Sequence, residues 1–272
     1  MTFVKSLHIY PLKSCRGIDI GEARLTHSGL EWDRNWMLVD RNGLFISQRE
    51  HPNMALIAIA LDADAMRMGA PGMPPLKIAL HGRERARRRV FIWEHEGHTF
   101  DEGDAAAKWF GDFLGTHCRL VAFDAAERRT SDRNWTGPDE ALNRFSDGFP
   151  ILVANAASLA ELNARLSGPI PMSLFRPNIV IDGVAPYDED HVDTLSAGSI
   201  VLRLVKPCTR CEITTTDQDT GQRGVEPLET LSTYRANPRM GGGITFGQNA
   251  IVKGGIGVRI AVGMPLAMRW TF

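Results

Sequence analysis

The run Lys206-Pro-Cys-Thr-Arg-Cys-Glu-Ile-Thr-Thr-Thr-Asp-Gln-Asp-Thr-Gly221 sets two thiols, Cys208 and Cys211, among cations. A thiolate is both a nucleophile and a soft metal ligand, and the charges of Lys206 and Arg210 favour the ionised sulfur. Four chemistries fit this spacing. One sulfur could ligate a soft metal, or the pair could form half of a zinc site, although no second Cys pair and no His-x-x-x-His completes one. A thioredoxin-like dithiol would need Cys211 at the start of a helix, and the β-branched Ile213, Thr214, Thr215 and Thr216 that follow disfavour one. Both thiols could also be small buried packing groups.

Other candidates lie far apart in the chain. Tyr10-Pro-Leu-Lys-Ser-Cys15 puts Lys13 and Ser14 on a loop behind a strand, an arrangement suited to holding an anion. Asp33-Arg-Asn-Trp36 offers Arg34, and Phe175-Arg-Pro-Asn-Ile-Val180 offers Arg176 at the mouth of an apolar strand. A guanidinium there needs a partner, because burying it alone is costly. Planar arginine forks grip phosphate and carboxylate, so these residues together suggest a large anionic cofactor, with one thiolate left for a soft metal.

Composition narrows the classes. The 272 residues are 43% hydrophobic and 23% charged, and 31 Lys+Arg balance 32 Asp+Glu to a net charge of −1. That balance argues against a protein held to nucleic acid by phosphate neutralisation. Four cysteines are too sparse for a disulfide framework. The amino terminus lacks the apolar run of a signal peptide, and no window of about 18 apolar residues occurs, so the expectation is a soluble cytoplasmic protein with no membrane partner.

The chain resembles the MOSC family (molybdenum cofactor sulfurase carboxy-terminal domain), in the branch similar to the amidoxime-reducing component and bacterial reductases of N-hydroxylated compounds. The resemblance rests on Tyr10-Pro-Leu-Lys-Ser-Cys-Arg-Gly17, Asp33-Arg-Asn-Trp36, Phe175-Arg-Pro-Asn-Ile-Val180, the Cys208 to Gly221 stretch, Glu226-Pro-Leu-Glu-Thr-Leu231 and Phe246-Gly-Gln248, in family order. It implies that Cys211 is the protein ligand to molybdenum and a catalytic residue, with Cys208 not a ligand. It further implies that Lys13, Ser14, Arg34, Arg176, Thr209 and Arg210 contact the molybdenum cofactor (Mo-molybdopterin). Gly148, Phe149 and Asn249 depart from the animal proteins' pattern, so the cofactor tail is expected to be held differently.

The implied activity is reduction of small N-hydroxylated substrates, N–OH to N–H plus water, as in detoxification. No four-cysteine cluster motif follows Cys211, so electrons are expected from a separate donor of ferredoxin, flavodoxin or cytochrome/flavin reductase type. Pyridoxal phosphate is not expected. The alternative is a non-catalytic carrier or sulfuration protein for the cofactor. Asp217 or Arg210 could shape the proton or substrate side, although Asp217 could equally make a turn. The run Arg83 to Arg89 could dock an acidic donor, although a solvated edge strand explains it better. His81, His95 and His98 read as surface or packing residues.

The elements that must hold these residues are mostly β. Strands are predicted at Phe3 to Tyr10, Trp36 to Asp40, Leu44 to Gln48, Met54 to Leu61, Leu76 to Leu80, Arg89 to Trp93 and Cys118 to Phe123, with a hairpin at Arg41-Asn-Gly43. Asp104 is expected to cap a helix stopped by Gly115. Beyond a polar junction, Asp124 to Pro138, strands are predicted at Ile151 to Ala154, Ile179 to Asp182, Ser199 to Val205, Gly243 to Val252 and Val258 to Trp270. Ser158-Leu-Ala-Glu161 reads as a capping box for a helix ending at Gly168-Pro169, and Pro227 opens a short helix. The expectation is an α+β protein with few helices: a small N-terminal β-barrel-like domain (1–124) packed on a mixed β-barrel MOSC domain (125–272).

Overall fold

A computed structural model of the chain describes residues 1–81 and 85–271. It is mostly β, with four sheets and a few short helices. The largest sheet runs in the spatial order Ile18–Ile20, Phe3–Ile9, Ile179–Asp182, Ile151–Asn155, Gly243–Gly254, Ile200–Thr209, Val192–Ala197, Ala267–Trp270. Its one parallel pair, Ile151–Asn155 with Ile179–Asp182, is joined through the helix Ala156–Asn163, the crossover that parallel strands require. The first strand of the chain pairs with Ile179–Asp182, and Arg259–Ala261 pairs with Glu22–Thr26, so both ends of the chain cross position 124. A five-stranded sheet of Arg87–Ile92, His95–Asp101, Arg119–Phe123, Trp36–Val39 and Phe45–Ile46 forms the other wall.

The two largest of the five apolar clusters among the described residues follow from these sheets. Val4, Leu7, Leu25, Leu30, Val153, Ile179, Leu195, Leu202 and Ile260 fill the first, and Trp36, Leu38, Met54, Met66, Phe110 and Leu120 the second. The helix Asp104–Leu114 packs Ala106, Trp109 and Phe110 onto the second core. Full burial of a side chain such as Phe110 contributes about 2 kcal/mol. Gly115 ends the helix in the left-handed region (φ 67°), returning its N–H to the Gly111 carbonyl.

Several local expectations are corrected. Asp104 is the first residue of its helix and not its cap; Gly103 holds the cap position with no side-chain bond, and Asp104 instead accepts from Arg119. The Ser158 capping box does not form: Asn155 caps the helix by accepting from the Ala157 N–H, while the Ser158 hydroxyl donates to the buried Glu189 carboxylate. That helix closes at Asn163, before Gly168. Met54 to Leu61 divides into a 3-10 turn, Pro52–Leu56, and a strand, Ala58–Leu61. Val258 to Trp270 divides into Arg259–Ala261 and Ala267–Trp270. Cys211 is followed by one 3-10 turn, Glu212–Thr215, despite its β-branched residues, because the Thr214 and Thr215 hydroxyls bond the carbonyls of Cys211 and Glu212. None of the described helices is long and apolar enough to cross a membrane.

Candidate functional site

Lys13, Ser14, Arg34, Arg176, Thr209, Arg210 and Cys211 line one cavity of about 300 Å³, together with Arg49, Asp147, Asn178, Lys206 and Cys208. Segments that are distant in sequence meet here because the strand Phe3–Ile9 lies beside Ile179–Asp182 in the large sheet. Its following loop, with Lys13 and Ser14, thereby lands beside the turn that carries Arg176. The strand Ile200–Thr209 delivers Thr209, Arg210 and Cys211 from its C-terminal end.

Backbone strain marks the same place. Ser14 (φ 67°), Arg34 (φ 46°) and Arg176 (φ 54°) all occupy the left-handed region. Such residues persist where surrounding structure over-determines them, which is common at functional sites. Each is pinned. The Ser14 carbonyl accepts from the Gln48 amide at 2.6 Å. Arg34 donates to both Asp33 oxygens, at 2.8 and 2.7 Å, and to the Asn178 side-chain carbonyl. Arg176 is 9% exposed and donates to the Cys15 carbonyl at 2.7 Å. The guanidinium groups of Arg34 and Arg176 each lie 4.3 Å from the Tyr10 ring centroid, so one buried aromatic holds two cations.

The electrostatics are lopsided. Burial pulls the Arg176 guanidinium down to about 10, which leaves it charged at neutral pH. Burial also lowers the pKa of the Lys13 ammonium, while the Asp147 carboxylate acts to raise it. Enclosure by the cavity wall on one side raises the Asp147 carboxyl, but the Lys13 charge and hydrogen bond outweigh it and hold the group well below the usual carboxylate range. Asp147 is therefore an acceptor and counter-ion at neutral pH. Lys206 rests over the Trp135 and Phe149 rings, at 5.2 and 5.7 Å, with no ion pair among the described residues.

The two cysteines differ. Cys208 accepts from an Arg210 Nη at 2.8 Å, whereas the Cys211 sulfur is half-buried at the cavity wall with the Arg49 guanidinium 3.7 Å away. No group of three or more His, Cys, Asp or Glu side chains capable of holding a metal occurs among the described residues. A metal at Cys211 would take its remaining ligands from a non-protein group. The residues present fit an anionic group carrying such a metal: the buried Nε of Arg210 has no hydrogen-bond partner, and the Ser14 hydroxyl is given none by the described residues.

Asp217 does not reach this cavity. Its carboxylate accepts from the Asp219 and Thr220 backbone N–H groups and the Thr220 hydroxyl, so it makes the turn. Within the run Arg83 to Arg89, Arg83 and Glu84 lie outside the described residues. Arg85, Arg87, Arg88 and Arg89 are paired with Glu102, Asp124, Asp101 and Glu96, which gives them structural work. No histidine lines the cavity, and His98 pairs with Glu127. Gly148, Phe149 and Asn249, the three departures from the family pattern, all line it. Arg49, Asp147 and Asn178 carry no assignment from the sequence, and Lys206, expected only to favour an ionised thiol, lines the cavity as well.

Comparison with known proteins agrees with this architecture. Residues 1–117 match the MOSC N-terminal beta barrel domain and residues 141–266 the MOSC domain. The chain is 38% identical over 245 residues to the mitochondrial amidoxime reducing component 2 of Rattus norvegicus, covering 85% of this chain and 72% of that protein. It is 37% identical over 249 residues to the mitochondrial amidoxime-reducing component 1 of Homo sapiens, with the same coverage. It is also 30% identical over 253 residues to the molybdenum cofactor sulfurase of Homo sapiens, of which it covers 28%. Matched in both halves, and more than a third identical to relatives whose length it largely spans, the chain belongs to the MOSC-domain family, in the group of the amidoxime-reducing components.

Proposed function

We propose that this protein is a molybdenum-cofactor-dependent oxidoreductase that reduces N-hydroxylated compounds, N–OH plus two electrons and two protons giving N–H plus water, with electrons from a separate donor. The observation that carries the reading is the convergence of Cys211 with Lys13, Ser14, Arg34, Arg176, Thr209 and Arg210 on one cavity. When bound there, the cofactor would supply two-electron redox chemistry coupled to oxygen exchange at the metal.

The chain's own residues have separable tasks. Cys211 offers one soft sulfur ligand. Lys13, Lys206 and the guanidinium groups of Arg34, Arg176 and Arg210 neutralise an anionic tail, and Ser14 and Thr209 present hydroxyls to its polar atoms. Asn178 is committed to structure, accepting from Leu152 N–H and Arg34 and donating to the His8 carbonyl. The Arg49 charge beside the sulfur favours negative charge at that end of the cavity.

The test is oxidation of a reduced donor by cofactor-loaded protein in the presence of an N-hydroxy compound. Donor oxidation that depends on the compound, with one N–H product formed for every two electrons delivered, supports the reading. The 30% identity with a molybdenum cofactor sulfurase favours a second reading, a cofactor carrier, which loaded protein without any such turnover would support.

A further inference from the structure

Trp93 sits in a place that ordinary hairpin physics would not choose for it. The strands Arg87–Ile92 and His95–Asp101 pair in register from Arg87↔Phe100 to Ile92↔His95, leaving Trp93 and Glu94 as a two-residue turn. Such turns favour Asn, Asp or Gly because they need positive φ, and Trp93 has φ 54°. A bulky residue in that region is strained, and its side chain is also 48% exposed. Neither the turn nor the apolar core explains an indole at this position.

The side chain is nevertheless held in a defined place. The Phe45 ring lies 5.0 Å from it, the indole N–H donates to Asp147 at 3.3 Å, and the Arg49 guanidinium stands 4.9 Å from its ring centroid. Asp147 and Arg49 both line the cavity. Arg49 also approaches the Cys211 sulfur at 3.7 Å, so one guanidinium separates the exposed indole from that atom. An exposed aromatic surface therefore stands just outside the cavity lining, touching two lining residues, one of which approaches the sulfur.

We infer that Trp93 is the substrate-facing lip of the site and favours N-hydroxylated substrates whose N–OH group is borne on a flat aromatic body. The inference rests on the proposed reductase reading and names the substrate class of that same site. An aryl amidoxime stacks its ring on the indole while its polar end passes Arg49 toward the sulfur, and a small aliphatic amidoxime has no ring to stack. Trp93 thus determines specificity through binding, and the effect falls in KM.

The test compares benzamidoxime with acetamidoxime on the full cofactor-loaded chain, using reduced methyl viologen as electron donor, for wild type, Trp93→Ala and Trp93→Phe. Trp93→Ala is expected to raise KM for benzamidoxime about tenfold more than for acetamidoxime, and Trp93→Phe to restore most of the difference. An equal loss for both substrates, or no loss, overturns the inference, since a residue that only props Arg49 would act on both alike. Saturation-transfer NMR of benzamidoxime with the same proteins needs no turnover. Saturation of the aryl protons by wild type that is lost in Trp93→Ala supports the lip even if the reductase reading fails, and saturation unchanged by the substitution contradicts it.

Discussion

Lys13 and Asp147, 134 residues apart in sequence, form an ion pair at the cavity wall, with the lysine side chain 7% exposed and the carboxylate 59% exposed. The lysine depends on that partner more than the aspartate does, because a buried ammonium without a counter-ion carries the full desolvation cost. Asp147→Asn is expected to lower stability by about 1–3 kcal/mol, toward the low end of what breaking a buried pair costs because one partner is solvated. The double variant with Lys13→Met should regain much of the loss. A urea midpoint unmoved by Asp147→Asn would contradict this.

The same pair shows why part of the site escaped the sequence. Lys13, Ser14, Arg34 and Arg176 were legible because each sits in a short motif beside a strand, and the Cys208 to Cys211 run because its thiols stand among cations. Asp147 and Arg49 lie in stretches with no local signal, and they join the cavity only through pairings between remote strands. Strands were legible where apolar residues cluster, as in Ile179–Asp182. They were missed where pairing rather than composition makes them, as in His95–Asp101, whose sequence is HEGHTFD. The misplaced helix start at Ser158 has a tertiary cause: Glu189 claims the hydroxyl that the capping box would have used.

Glu189 itself gives a pH dependence. It is fully buried, and desolvation pushes its carboxyl up to about 7 against the bonds donated by the Ser158 hydroxyl, with the neighbouring Asp190 charge adding to the rise. A carboxyl with a raised folded-state pKa contributes stability that is complete below its unfolded value, near 4.3, and is lost as pH rises through about 7. The contribution is about 3–4 kcal/mol. Unfolding free energy should fall between pH 4.5 and 7.5, and Glu189→Gln should flatten that slope. Identical slopes in the two proteins would refute the assignment.

Gly17 carries a steric prediction. A Cβ at this position would lie 2.5 Å from the Tyr10 ring, which is buried between Gly17 and the guanidinium groups of Arg34 and Arg176. Gly17→Ala should therefore displace the ring, costing about 1–3 kcal/mol in overpacking, and should lower cofactor retention as the two arginines lose their support. Thermal unfolding and pterin content measured on the same preparation test both halves.

Ser14 should separate stability from binding. Its φ of 67° is strained for serine and free of cost for glycine, so Ser14→Gly is expected to leave stability unchanged or raise it by about 1 kcal/mol. Loss of the hydroxyl should still weaken retention of the anionic cofactor. A variant that is less stable, or that retains cofactor as wild type does, would count against the role given to this hydroxyl.

The most direct measurement is the molybdenum and pterin content of protein expressed with molybdate, compared among wild type, Cys211→Ala and Cys208→Ala. Molybdenum should be lost with Cys211→Ala and kept with Cys208→Ala, whose sulfur is already engaged by Arg210. Equal loss in both variants, or molybdenum retained without Cys211, would contradict the assignment of that sulfur as the metal ligand.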